Sequence, residues 1–146
     1  MDNLFDAEEL IVDRVSTAFS TGMVFYGPDI TDLDNDDFTK FDIDDDRVGL
    51  IIRHAGFKAD RIVGDKRIAN QRLKTFWQLV IVCPAELYKT VGGVKFVEVV
   101  NLLKGYRLSK IFKPMELTDD ERDFNEPEFI KDMVYIPMMF IVENVA

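Results

Sequence analysis

Aspartates are concentrated in one stretch of this chain, and their spacing can be compared with that of calcium ligands. Nine of them lie in residues 28–46. The twelve-residue calcium loop needs oxygen ligands at positions one, three and five, glycine at six and a bidentate glutamate at twelve. A frame that begins at Asp32 puts Asp37 at position six and Ile43 at position twelve. We therefore predict a solvated acidic loop, without a bound metal.

Nucleophilic catalysis has one candidate pair, because the chain holds a single cysteine, Cys83, and a single histidine, His54. Cys83 ends the apolar run LVIVC, which is typical of a small core residue with an inert thiol. His54 continues the apolar face of an alternating segment, so we expect a residue at a strand end. One cysteine also excludes an internal disulfide, and one cysteine with one histidine supplies too few ligands for an ordinary structural zinc site.

Other catalytic signatures are missing from the sequence. It contains no phosphate loop, dinucleotide fingerprint, nucleophile elbow or metalloprotease helix. Gly92 and Gly93 precede a predicted helix, but no lysine and hydroxyl follow them as in a phosphate site, so they are interpreted as a turn. We expect a binding or assembly protein with no cofactor, and not an enzyme.

Charge is segregated along the 146 residues. Residues 1–46 carry a formal charge of -12, residues 47–113 carry +10 and residues 114–146 carry -7, within a net charge of -9. Two interpretations are open: the segments neutralise one another inside one subunit, or they present opposite signs on different surfaces and favour head-to-tail association of copies.

The candidate interface residues follow from this segregation. They are Asp34, Asp36 and Asp37 in the acidic loop, and Arg61, Lys66, Arg67, Arg72 and Lys74 in a basic stretch. The basic residues lie between or within two predicted strands, on what we interpret as an extended hairpin. Contact with the acidic loop or tail of a neighbouring copy and a position in a channel against DNA both remain open. A sequence pI of about 4.6 and the lack of interleaved aromatic residues disfavour tight DNA binding.

Hydrophobic periodicity supplies the elements that would position these residues. Apolar residues recur at helical spacing from Leu4 to Phe19, and Gly22 is the expected stop. Alternation predicts strands over residues 47–57, 73–83 and 134–142, with Trp77 in the core and Pro137 at an edge or bulge. A further short strand is expected over residues 111–117, followed by a second acidic loop, TDDERDFNEPE. A helix between Gly92 and Gly105 has a narrow polar stripe and is expected to be buried over most of its circumference.

The order of these elements predicts an α+β fold. We expect one domain over residues 1–146, built of a mostly antiparallel sheet packed by two helices, with a long acidic loop at 28–46 and an extended basic hairpin. The longest apolar runs contain five and ten residues, against about 20 for a membrane helix. The acidic start, MDNLFDAEEL, is unlike a secretory signal, so a reducing cytoplasm is the expected compartment.

Several segments in this order resemble the tail-terminator, or tail-completion, proteins of tailed bacteriophages, including the Mu-like group. The similar segments are the N-terminal amphipathic helix and four later ones: VGLIIRHAG, TFWQLVIVC, GGVKFVEVVNLLKG and YIPMMFIVE. The long aspartate-rich insert departs from a minimal member of the family.

The resemblance implies a structural virion protein of the tail or neck, assembled in the host cytoplasm. Such proteins form a homo-oligomeric ring, typically a hexamer, that caps the head-proximal end of the tail tube and stops its polymerisation. The expected partners are further copies, the tail tube protein and the head connector, with the genome passing through the lumen without tight binding. The family has no catalytic residues. Alternatives are another neck component, such as a connector or stopper, and a small cytoplasmic enzyme with an unrecognised site.

Overall fold

A computed structural model describes residues 6–19, 24–26, 48–60, 72–118, 126–130 and 132–144 of the chain. In these residues it has an α+β architecture, with two α-helices and a mostly antiparallel sheet, as the sequence predicts. The strands are β1 (Val24–Tyr26), β2 (Gly49–Asp60), β3 (Arg72–Pro84), β4 (Glu116–Leu117), β5 (Glu128–Ile130) and β6 (Met133–Glu143). The α-helices are α1 (Asp6–Val15) and α2 (Gly93–Leu103).

The first helix, α1, buries Ala7, Ile11 and Val15, whose spacing places them on one side. Acidic residues in its first turn and Arg14 in its last turn complement the helix dipole. The prediction that this helix runs to Gly22 is wrong. A 3₁₀ turn follows at Ser16–Ala18, after which Phe19 is extended. The Ser16 hydroxyl donates to the carbonyl of Asp13, a local bond that competes with helix continuation.

The three long strands form the centre of the sheet, whose main order is β1-β2-β3-β6-β4. Strands β2 and β3 are antiparallel from Gly49↔Val82 to Asp60↔Arg72, with one bulge between His54 and Gly56. Strand β6 pairs with the other edge of β3. The predicted hairpin strands and final strand are therefore confirmed. The parallel strand β1 beside β2 was not predicted, because its apolar run is short.

The core lies mainly between the sheet and the helices. Leu50, Ile81 and Ile136 stand in register on adjacent strands and are all buried. Gly92, which precedes α2, lies against that same face: a Cβ there would be 2.9 Å from Cδ1 of Ile136 and 3.0 Å from Sγ of Cys83. Helix α1 packs against both α2 and β2. Residues 79–83 of β3 are all buried, so both faces of the sheet are covered there.

The second helix is more exposed than its sequence predicts. Val99 and Leu103 are buried, but Val94 is 60% and Val97 is 56% exposed. The prediction that α2 is buried over most of its circumference is therefore wrong. Apolar residues surround the helix, yet only one side faces the sheet and α1. Gly105, at φ +77, follows the helix end as expected.

Pro137 occupies a position in β6 where its missing N–H disrupts no sheet pairing. The carbonyls of Met139 and Glu143 accept bonds from Thr118 and Lys113, so alternate residues of β6 direct their backbone polar groups away from β3. Pro137 belongs to this set by two-residue alternation. Strand β5 pairs with residues 133–135 and β4 with residues 140–141, leaving Pro137 between them among the described strands. The predicted edge position is confirmed locally.

Candidate interaction surfaces

One end of the sheet presents basic and aromatic side chains. We call this end the hairpin surface and define it by Phe57, Lys58, Lys74, Phe76 and Lys113. Phe57 is 66% exposed, and the Lys58 ammonium lies 5.5 Å from the centroid of the Phe76 ring. An ammonium near an aromatic face is electrostatically favourable, so the charge and the ring share one surface.

The antiparallel register concentrates positive charge on the hairpin surface. Lys58 stands opposite Lys74, and Lys74 stands opposite Glu143 on the other side of β3. Glu143 also pairs with Lys113 at 3.3 Å. Glu116 of β4 stands opposite Ile141, which pairs with Phe76, so this end holds two carboxylates among its three lysines. The small positive excess favours an acidic partner.

The opposite end of the sheet holds an apolar groove of about 500 Å³. It is lined by Tyr88, Lys89, Gly93, Phe96, Pro127, Ile136 and Pro137. The groove forms where α2 and the residues before it, together with Pro127 before β5, reach the outer edge of β6. Phe129 lies beside it, 57% exposed, with its ring 5.5 Å from that of Tyr88 in an edge-to-face arrangement.

Acidic residues surround the apolar groove. Glu126 and Glu128 flank Pro127, and both are exposed. Glu86 and Asp132 lie at the same end, where the Ala85 N–H donates to the Asp132 carbonyl at 2.8 Å. Lys89 is the basic residue of the lining. The charge around the groove is thus opposite in sign to that of the hairpin surface.

Helix α1 carries a second, polar groove of about 390 Å³. Asp6, Glu9 and Asp13 line it at helical spacing, across from Ile111 and Phe112. On the other side of the helix, Arg14 donates to the Leu102 carbonyl and stacks 3.9 Å from the ring centroid of Tyr106. These bonds attach α1 to the end of α2.

The structure describes two of the predicted interface residues, Arg72 and Lys74. Asp34, Asp36, Asp37, Arg61, Lys66 and Arg67 lie outside the described residues, as does the acidic loop 28–46. Arg72 begins β3, where only its backbone is described. Lys74 is described, and it lies on the hairpin surface as part of the predicted basic hairpin.

Cys83 and His54 lie too far apart to form a catalytic pair. His54 stands opposite Trp77, and six residues of strand separate Trp77 from Cys83, a distance of about 20 Å at 3.3 Å per residue. Burial raises the pKa of the Cys83 thiol above its ordinary 9.0, and a backbone hydrogen bond from Gly92 opposes this shift. The thiol is therefore protonated at neutral pH, as expected of a core cysteine.

The described part of the chain was compared with the requirements of a metal site and of a membrane-spanning helix, and it meets neither. Its histidine, cysteine and acidic residues include no group of three placed to hold a metal ion. Among the described helices, none is both long enough and apolar enough to span a membrane.

Comparison of the sequence with protein-family models and with curated proteins gives no match.

Sequence reasoning missed the apolar groove. Its lining comes from three separated segments, and β5 (Glu128–Ile130) begins at the end of the segment TDDERDFNEPE, which is predicted to be a second acidic loop. The signal available in the sequence was Pro127 and Phe129 among glutamates, because apolar residues in a charged segment need a surface to contact. Phe57 carried a similar signal at the end of its strand.

Proposed function

We propose that this chain is a structural assembly protein whose copies associate head to tail in a closed ring. The observation that carries the proposal is that the two ends of the sheet differ in charge and in apolar character. One end is basic with an exposed phenylalanine, and the other is an apolar groove with acidic surroundings. Phe57 stands opposite Thr75, while Phe129 stands opposite Val134, which pairs with Cys83. Eight residues of β3 thus separate Phe57 from Phe129, about 26 Å at 3.3 Å per residue. Ile136 of the groove lining pairs with Ile81, which is six residues from Thr75.

Unlike surfaces at opposite ends of a subunit suit one kind of symmetry. A twofold dimer needs a single surface that complements itself, whereas a ring needs two different surfaces that complement each other. Complementary charge also opposes the reversed orientation, because it would bring like charges together. Individual exposed ion pairs contribute only about 0 to 1 kcal/mol, so the apolar contacts must provide much of the affinity.

The biological setting that we propose is the tail of a bacteriophage. The resemblance to tail terminators supports a ring, typically a hexamer, that caps the head-proximal end of the tail tube. There it stops tube polymerisation and joins the tail to the head connector, while the genome passes through its lumen. The segments that carry this resemblance occur, in the same order, as elements of the described α+β fold.

Light scattering of the purified chain with and without purified tail tubes tests this proposal. We expect a ring or a monomer in solution and binding at tube ends, so that added protein halts elongation at a ratio of one ring per tube. A stable twofold dimer that tubes leave unchanged would contradict the assembly model. Binding to connector particles but not to tubes would assign the chain to another neck component.

A further inference from the structure

We draw no further inference here: the strongest candidate, the apolar groove between Tyr88, Phe96 and Pro127 at the outer edge of β6, carries nothing beyond the proposed function, because nothing in the structure shows which group covers it.

Discussion

Trp77 shows how a single residue connects the three central strands. It is fully buried between His54 of β2 and Phe140 of β6, which stand opposite it on either side. Its indole N–H donates to the Thr75 hydroxyl at 2.9 Å, and that hydroxyl donates to the Val142 carbonyl at 3.1 Å. The prediction of a core tryptophan is confirmed. Its polar partner was not predicted, because a threonine two residues away gives no sign of burial.

Truncation of Trp77 should therefore be costly. We expect Trp77→Ala to lower the free energy of unfolding by about 3 to 5 kcal/mol, as other large aromatic deletions in cores do. Trp77→Phe keeps a ring but removes the hydrogen bond, and should cost about 1 to 3 kcal/mol. Urea unfolding measures both values. Tryptophan fluorescence typical of a water-exposed indole in the folded protein would contradict this account.

Cys83 should give stability a pH dependence at alkaline pH. Burial raises the pKa of its thiol above the ordinary 9.0, so the unfolded chain loses this proton at a lower pH than the folded one. The resulting stabilisation is fully present below about pH 9 and is lost as the pH rises through the folded pKa. We expect the difference in unfolding free energy between wild type and Cys83→Ala to shrink above pH 9. A difference that stays constant from pH 7 to 10.5 would refute the shift.

At the scale of elements, the long strands, the position of α2 and a short strand within residues 111–117 followed from the sequence, whereas β1 and β5 did not. Alternation over β2, β3 and β6 is strong because each strand crosses the whole core. Strands β1 and β5 contain three residues each, too few for a period to appear. Their existence depends on pairing with a long neighbour, which is information from distant parts of the chain.

The exposure of α2 was not predicted from the sequence for a different reason. Its apolar residues surround the helix, and sequence alone cannot say which of them face a neighbour in the same subunit. The structure leaves Val94 and Val97 uncovered by the described elements. The apolar groove was unpredictable for the same reason, since its walls meet only after α2, β5 and β6 have packed.

The end of α2 offers a test of backbone conformation. Gly105 has φ +77, and a Cβ at this position would meet no atom within 4 Å. A substitution therefore acts through the backbone alone. Gly105→Ala should lower stability by about 1 to 2 kcal/mol, the cost of a left-handed conformation for an ordinary residue. Gly105→Asn should cost less, since asparagine tolerates this conformation. Equal losses for alanine and asparagine, measured by thermal unfolding, would argue against this explanation.

At the scale of the whole molecule, the account depends on the separation of charge. The basic middle of the chain carries +10 and its first 46 residues carry -12. Replacing Arg67 and Arg72 by glutamate should abolish ring formation without unfolding the subunit, because several weak ion pairs must act together. Changing Asp34, Asp36 and Asp37 to lysine in the same chain should partly restore it, and 1 M salt should weaken the proposed assembly of the wild-type protein. Sedimentation measures assembly in each case.

A different outcome of the arginine substitutions would assign the basic segment to another position in the assembly. If that variant forms normal rings and loses only DNA packaging or ejection, the segment lines the lumen. The charge separation would then serve the passage of the genome and would contribute nothing to subunit contacts.

Negative-stain electron microscopy of the purified protein tests the central claim most directly. Head-to-tail contact between the hairpin surface and the apolar groove predicts closed rings with every subunit in the same orientation, and it predicts the same rings at the ends of tail tubes. Particles with a single twofold axis, at every protein concentration and with tubes present, would contradict it.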